Sequence, residues 1–292
     1  MTAQTATPAI TPAREAATVV LLRDAPAGVE VFLVKRHGLS DVLGGAYVFP
    51  GGKVDRNDTD ARLLAKLDAP RERLHAALGE ADLASEAAIG LFVAACRETF
   101  EESGVLLVEE ATERQVREAQ AHAREGVSFG EIVARLGVRP HWDNLVPWSR
   151  WITPNVPQMI NKRFDARFFL ASMPSAQSAR HDDHEATESL WLRPRAVLEQ
   201  YWERQINLAP AQIMSLAVLS RYRNVAEAMN TAKAARPPAI QPEPFRHEGS
   251  RAIAFPGDER HPVRERALAG PSFLVYRNER FEPAGGFEAL FA

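Results

Sequence analysis

Cysteine is nearly absent from this sequence, and that scarcity excludes a good deal. There is one, Cys96, among 292 residues. Neither an internal disulfide nor a zinc cluster built on cysteine pairs is open to the chain. A lone thiol fits a reducing compartment, so the expected location is the cytoplasm. No run of 18 uninterrupted apolar residues occurs, and no segment reads as a membrane-spanning helix. Residues 1–16 lack a basic stretch followed by an apolar one and do not read as a signal peptide. An excess of charge is also missing: 35 Lys and Arg stand against 38 Asp and Glu. Without a basic field, nucleic acid is not an expected partner; a small molecule or a protein is. Nothing in the composition speaks to oligomeric state.

What is present is a globular chain, 46% hydrophobic and 25% charged, long enough for one large domain with additions or two small ones. The first 16 residues, rich in Ala, Thr and Pro, read as a disordered arm. Apolar, β-branched runs at 18–22 and 29–34 flank Asp24–Gly28 and predict a hairpin. Residues 47–52 read as a short strand entering a Pro-Gly-Gly turn, where missing Cβ atoms let backbone come close to a ligand. A helical insertion at about 57–85 is broken at Pro70. Helical patterns follow at 112–126 and 128–136, strands at 145–153, 163–171 and 188–192, and helices at 195–205 and 210–232. A proline-bearing linker then leads to a small C-terminal extension, together 233–292, with strand-like runs at 251–255 and 272–276. The order predicts a mixed α/β fold, with one domain over 17–232.

The chemistry concentrates at Arg97-Glu98-Thr99-Phe100-Glu101-Glu102-Ser103-Gly104. On a helix, Glu98, Glu101 and Glu102 fall within roughly a 100° arc. Ile89, Val93, Cys96 and Phe100 fall on the opposite arc and provide a face to bury, with Cys96 as packing and not a nucleophile. Gly104 suits the left-handed position after a helix end. Like charges at this spacing oppose one another by a few tenths of a kcal/mol unless neutralised. A divalent cation would do that.

Residues 97–105 resemble the core of the Nudix box, R-E-apolar-x-E-E-x-G-apolar, with Thr99 at a position that is usually apolar. Phe49-Pro50-Gly51-Gly52 resembles the glycine loop that opens the box. In the usual box an acidic residue follows that glycine after five positions, and the arginine comes 14 after the glycine. Here Gly52 and Arg97 are 45 apart, which implies an insertion of about 31 residues. Counted back from Arg97, the acidic position falls on apolar Ile89; Asp55 and Glu86 are the candidates to replace it.

The resemblance implies a Nudix-type α/β/α sandwich with a mixed sheet, and Mg²⁺- or Mn²⁺-dependent hydrolysis of a nucleoside diphosphate linked to another group. It makes Glu101 and Glu102 metal ligands and Glu98 a ligand or the base that orients water. Arg97 steadies the glycine loop or a glutamate, and Gly51 and Gly52 let the loop pack over the metals. Arg36 and His37, after the second strand, are candidates to meet a phosphate. Glu185 and Glu188 are candidates for an additional carboxylate. His181-Asp182-Asp183-His184 invites a second metal site, but a solvated loop is the plainer reading. Trp142, Trp148 and Trp151 suggest an aromatic wall for a base, although core packing is the commoner use.

The interrupted box, the VFPGG and RETFEESGVLL stretches, the WITP and RFDARFFLA strands and a helical tail after WLRP are similar to the peroxisomal acyl-coenzyme A diphosphatase branch, over roughly residues 17–225. That branch implies coenzyme A or acyl-CoA as substrate. The LLT-type signature of another coenzyme A branch is absent, as are the proline of ADP-ribose enzymes and the tyrosine of dinucleoside polyphosphate enzymes. A diphosphatase of another nucleotide (ADP-ribose, NADH) and a non-catalytic Nudix-fold module are the alternatives.

Overall fold

In the computed structural model, β1 (Arg14–Ala25) and β2 (Gly28–Arg36) form the expected hairpin, with Ala25 opposite Gly28. The structure describes residues 12–38, 44–59, 63–64, 67, 69–154, 162–181 and 186–292. Gly28 closes the turn at φ +116°, a backbone conformation that strains any residue with a Cβ. The two strands pair only over Leu22–Ala25 and Gly28–Val31 and then splay. One segment fills the fork. Its β3 (Tyr47–Val48) pairs with β2 and its β4 (Gly51–Lys53) pairs with β1. Pro50 stands at the crossing, and its carbonyl accepts from Val19 N–H at 2.8 Å.

The main sheet continues with β5 (Val146–Ile152), β6 (Phe164–Ser172), β7 (Ala186–Leu192) and β8 (Ala239–Ile240). The order is β3-β2-β1-β6-β5-β8, with β4 beside β1 and β7 beside β2. β1 runs parallel to β6 over Arg14–Leu22, β8 runs parallel to β5, and the other pairs are antiparallel. Alternation along the strands divides the core. Val19, Leu21, Phe32, Val34 and Phe169 point into one layer; Val20, Leu22, Val31, Leu33 and Phe168 point into the other. The first layer is covered by α1 (Arg71–Leu78), α2 (Ser85–Ser103), α3 (Glu113–Arg124) and α4 (Phe129–Leu136). The second is covered by α5 (Pro194–Trp202), α6 (Pro210–Leu219) and α7 (Val225–Ala234). This is the α/β/α sandwich that the resemblance implies. No helix among the described residues is long and apolar enough to cross a membrane.

Three stretches differ from the sequence reading. The arm expected over 1–16 overlaps β1, which begins at Arg14; residues 1–11 lie outside those described. The helix expected over 210–232 is two, because Asn224 caps a new start by accepting from Glu227 N–H at 2.8 Å. The expected linker carries β8, which joins the main sheet beside Arg150 and Trp151. Beyond it, β9 (Glu243–His247), β10 (Ser250–Ala254), β11 (Phe273–Arg277) and β12 (Arg280–Glu282) form an antiparallel sheet in the order β12-β11-β10-β9. The sheet shares the second layer's core. Phe255 meets Trp151 edge-on at 6.0 Å, and the Tyr201 hydroxyl donates to the Phe281 carbonyl and accepts its N–H.

Candidate active site

Helix α2 begins without a side-chain cap and is held by packing. Ile89, Phe92, Val93, Cys96 and Phe100 are all buried against the sheet and neighbouring helices. Gly104 ends it at φ 69°, donating its N–H to the Phe100 carbonyl at 2.9 Å. Thr99, at the normally apolar position, is buried with its hydroxyl satisfied inside the helix by the Ala95 carbonyl at 2.7 Å. The Cys96 thiol is wholly buried, and burial, helped by the negative charge of Asp58, pushes its pKa far up. It is inert packing, as expected.

Arg97 is the hub. Its Nη1 donates to Glu98 Oε1 and to Glu101 Oε2, each at 2.8 Å, and its Nη2 donates to the Lys53 carbonyl at 3.1 Å. The other edge of the guanidinium grips Asp58, Nε to Oδ1 at 2.9 Å and Nη2 to Oδ2 at 2.8 Å. Asp58 itself is buried at 1% exposure, which makes this a desolvated two-point ion pair. Burial opposes the Arg97 charge, but the hydrogen bond to Asp58 and the carboxylates of Glu98, Asp58 and Glu101 overcome it and raise its pKa. Glu101 is raised too, chiefly by burial and against the pull of Arg97.

The glycine loop closes on the same helix. Gly51 N–H donates to Glu102 Oε2 at 3.0 Å. A Cβ on Gly52 would lie 2.5–2.6 Å from the Glu98 carboxylate, and one on Gly51 would lie 2.4 Å from the Ala17 carbonyl. Glycine at both positions is therefore a steric requirement of bringing loop and helix together. The four side chains Arg97, Glu98, Glu101 and Glu102 gather at one place around that loop.

The NUDT19 Nudix domain family model matches residues 13–219, more than half of the chain. The chain belongs to that family. It is similar to proteins named acyl-coenzyme A diphosphatase NUDT19 from Xenopus laevis, 27% identical over 234 residues, and from Gallus gallus, 27% identical over 263. Those matches take in 68% and 73% of this chain, but 61% of the frog protein and 69% of the chicken one. A Nudix hydrolase structure from Alicyclobacillus acidocaldarius superposes with a TM-score of 0.59 at 26% identity, covering 76% of this chain and 97% of that one.

As a NUDT19-type Nudix domain, the chain carries its box in two pieces, and the structure shows where they meet. Six residues past Gly52 stands Asp58, the acidic position counted forward from the glycine. Counting back from Arg97 landed on Ile89 because the insertion lies between Asp58 and Arg97. Asp58 was thus missed, although the glycine-side spacing pointed to it. Neither Asp55 nor Glu86 takes the place: Asp55 is ion-paired with Lys53 at 3.7 Å, and Glu86 sits in the first turn of α2, about 18 Å along the axis from Glu98. Gly90 lets the insertion's entry, the 3₁₀ turn Arg56–Thr59, lie against α2; a Cβ there would meet the Thr59 methyl at 2.5 Å.

The remaining predicted residues divide. Glu188, on β7, accepts from Tyr47 Oη at 2.6 Å and Lys35 Nζ at 3.0 Å, which lower its pKa, and it belongs to the β2–β3–β7 edge instead of the Arg97 hub. Glu185, Asp182, Asp183 and His184 lie outside the described residues; His181 meets Ser189 Oγ through Nδ1 at 2.9 Å. Arg36 keeps a buried Nε without a hydrogen-bond partner among the described residues. Trp142 and Trp151 are core residues at 7% and 6% exposure, and Trp148 packs against the second layer. Among the described residues no three His, Cys, Asp or Glu side chains stand ready-made as a metal cage. The donor set on α2 is nonetheless all carboxylate oxygen, which suits a hard divalent cation.

Proposed function

We propose that the chain hydrolyses the diphosphate linkage of a nucleoside-diphosphate derivative, with Mg²⁺ or Mn²⁺ held by Glu98, Glu101 and Glu102. Coenzyme A or an acyl-CoA is the favoured substrate, giving 3′,5′-ADP and (acyl) 4′-phosphopantetheine. The observation that carries the reading is the Arg97 hub, which joins two of the three glutamates to the loop that opens the box. The names of the frog and chicken relatives support the choice of substrate.

Bound cations would neutralise the diphosphate and acidify a water. The chain's own residues prepare the place. Arg97 and Asp58 hold the loop end and the helix at a set spacing. Glu102 tethers the loop through Gly51 N–H. Glu98, pressed against Gly52, is a cation ligand or the base that orients the attacking water. Arg36, at the end of β2, is the candidate to meet a phosphate oxygen.

The test is incubation with Mg²⁺ or Mn²⁺ and a panel of coenzyme A, acyl-CoA, ADP-ribose, NADH and nucleoside triphosphates. Release of 3′,5′-ADP from coenzyme A or acyl-CoA is expected. Release from ADP-ribose or NADH alone would replace the substrate, and no release from any member, with metal binding demonstrated, would overturn the enzyme. Glu98→Gln is expected to lower kcat by several orders of magnitude with an unchanged melting curve.

A further inference from the structure

The glycine loop is tied down at both ends. At its exit the Lys53 carbonyl accepts from Arg97 Nη2. Its entry is β3, which is two residues long and pairs with β2 through Val34–Val48 and Lys35–Tyr47. Strands usually run longer, and so short a ladder has little hold of its own. Tyr47 adds the rest. It is buried, with its ring in the second layer, and its N–H donates to the Asn207 carbonyl between α5 and α6 at 2.9 Å. Its hydroxyl reaches across β2 to β7, donating to Glu188 Oε2 at 2.6 Å, while Lys35 Nζ meets the same oxygen at 3.0 Å. Burial and the Glu188 carboxylate raise the tyrosine pKa, so the hydroxyl stays protonated and remains the donor. Beside Glu188 the register slips: Lys35 faces Glu188 but Arg36 faces Ala186, which leaves Thr187 extra. Bulges of this kind recur next to active sites, where they re-aim a side chain.

We propose that Tyr47 and Glu188 are positioning residues for the reaction: their hydrogen bond fixes the entry of the glycine loop and, through it, the places of Glu98 and Glu102. The path is short. Val48, Phe49 and Pro50 lead from Tyr47 to Gly51, whose N–H holds Glu102, and to Gly52, which lies against the Glu98 carboxylate. Val48 and Phe49 are buried in opposite layers and Pro50 has a fixed φ, so a shift at Tyr47 has little slack in which to fade. In this role Glu188 acts through Tyr47 and not as an additional cation ligand. The effect on turnover rests on the diphosphatase reading; the effect on the loop does not.

The experiment combines amide hydrogen exchange by NMR with turnover of the nucleotide panel, on the full chain and four variants. These are Tyr47→Phe, which keeps the buried ring, Glu188→Ala, Glu188→Gln and the double variant Tyr47→Phe/Glu188→Ala. Tyr47→Phe and Glu188→Ala are each expected to speed exchange at Gly51 roughly fivefold or more, and exchange in β6 to change far less. Each is expected to lower kcat roughly tenfold with KM unchanged, less than the 100-fold of a misplacement of about 1 Å. Glu188→Gln keeps an oxygen that accepts from Tyr47 and is expected to behave as wild type. The double variant is expected to match the single ones, because two partners in one hydrogen bond do not act additively. Wild-type exchange at Gly51 in both Tyr47→Phe and Glu188→Ala would overturn the proposal. So would Glu188→Gln failing as far as Glu188→Ala, or losses that add in the double variant. A wild-type protein that hydrolyses no member of the panel would overturn the diphosphatase reading, and the exchange at Gly51 would still decide this one.

Discussion

Arg97 and Asp58 meet through two parallel hydrogen bonds of 2.9 and 2.8 Å, although 39 residues of chain separate them. The pair closes the gap that the insertion opens in the Nudix box. Removing Asp58 leaves Arg97 its bonds to Glu98 and Glu101 but takes away its desolvated two-point partner, a loss of about 2 kcal/mol for hydrogen bonds to a charged group. Asp58→Ala is therefore expected to lower the melting temperature clearly and to reduce kcat together with stability. Asp58→Glu keeps the charge and is expected to recover part of both, read by thermal unfolding and turnover on the same preparations.

Gly52→Ala tests the loop more selectively. The new methyl would have to displace the Glu98 carboxylate from 2.5 Å, and the three atoms nearest to it all belong to that carboxylate. The expected result is a fall in kcat of roughly 100-fold, as for a misplacement of about 1 Å, with a small effect on unfolding. Wild-type turnover in this variant would mean that Glu98 works from another position.

Glu80 secures the exit of α1. Its carboxylate takes Arg167 Nε and Nη2 at 2.9 and 2.7 Å and Arg150 Nη1 at 2.8 Å, and Arg167 is only 3% exposed. Glu80→Ala is expected to destabilise the protein by about 2 kcal/mol, because the buried Arg167 loses its two-point partner and keeps only looser pairs with Asp165 at 3.4 Å and Glu15 at 3.8 Å. Denaturant unfolding measures it, and faster proteolysis within residues 71–79 would locate the loosening in the insertion.

Between β10 and β11 of the C-terminal sheet, Asp258 gives a pH signature. Burial raises its carboxyl pKa, but hydrogen bonds from Ser272 Oγ at 2.6 Å and from Arg260 outweigh that and leave it below the ordinary value. A depressed pKa means that the unfolded chain binds the proton first. The stabilisation is then present above the unfolded carboxylate range and lost as pH falls through the folded value. Asp258→Asn is expected to cost on the order of 2 kcal/mol at neutral pH. The gap to wild type should narrow as pH falls below the ordinary aspartate range, measured by melting at matched pH values.

The helix, its three glutamates and its terminal glycine were legible because they depend on spacings of one to four residues, which the α-helix converts directly into a face. The hairpin was legible for the same reason, with its apolar runs and a loop ending at Gly28. Glu188 was not. It was singled out for its nearness to a strand end, and only the pairing of β7 with β2 brought it to Lys35 and Tyr47. Two strands of the C-terminal sheet were also missed. β9 carries exposed and charged residues, and β12 is three residues long, so neither has an alternation to read.

By itself, the sequence determined that a helix would carry Arg97, Glu98, Glu101 and Glu102, that a Pro-Gly-Gly turn would precede it, and that the two are the halves of one motif. Tertiary structure alone decided that Asp58 is the acid joining them, that the turn fills the fork of the β1–β2 hairpin, and that the insertion packs back on α2 through Leu74 and Leu78. The physical reason is range. Helical and turn preferences act within a few residues, whereas a buried ion pair across 39 residues exists only once the packed core has brought its two ends within 3 Å.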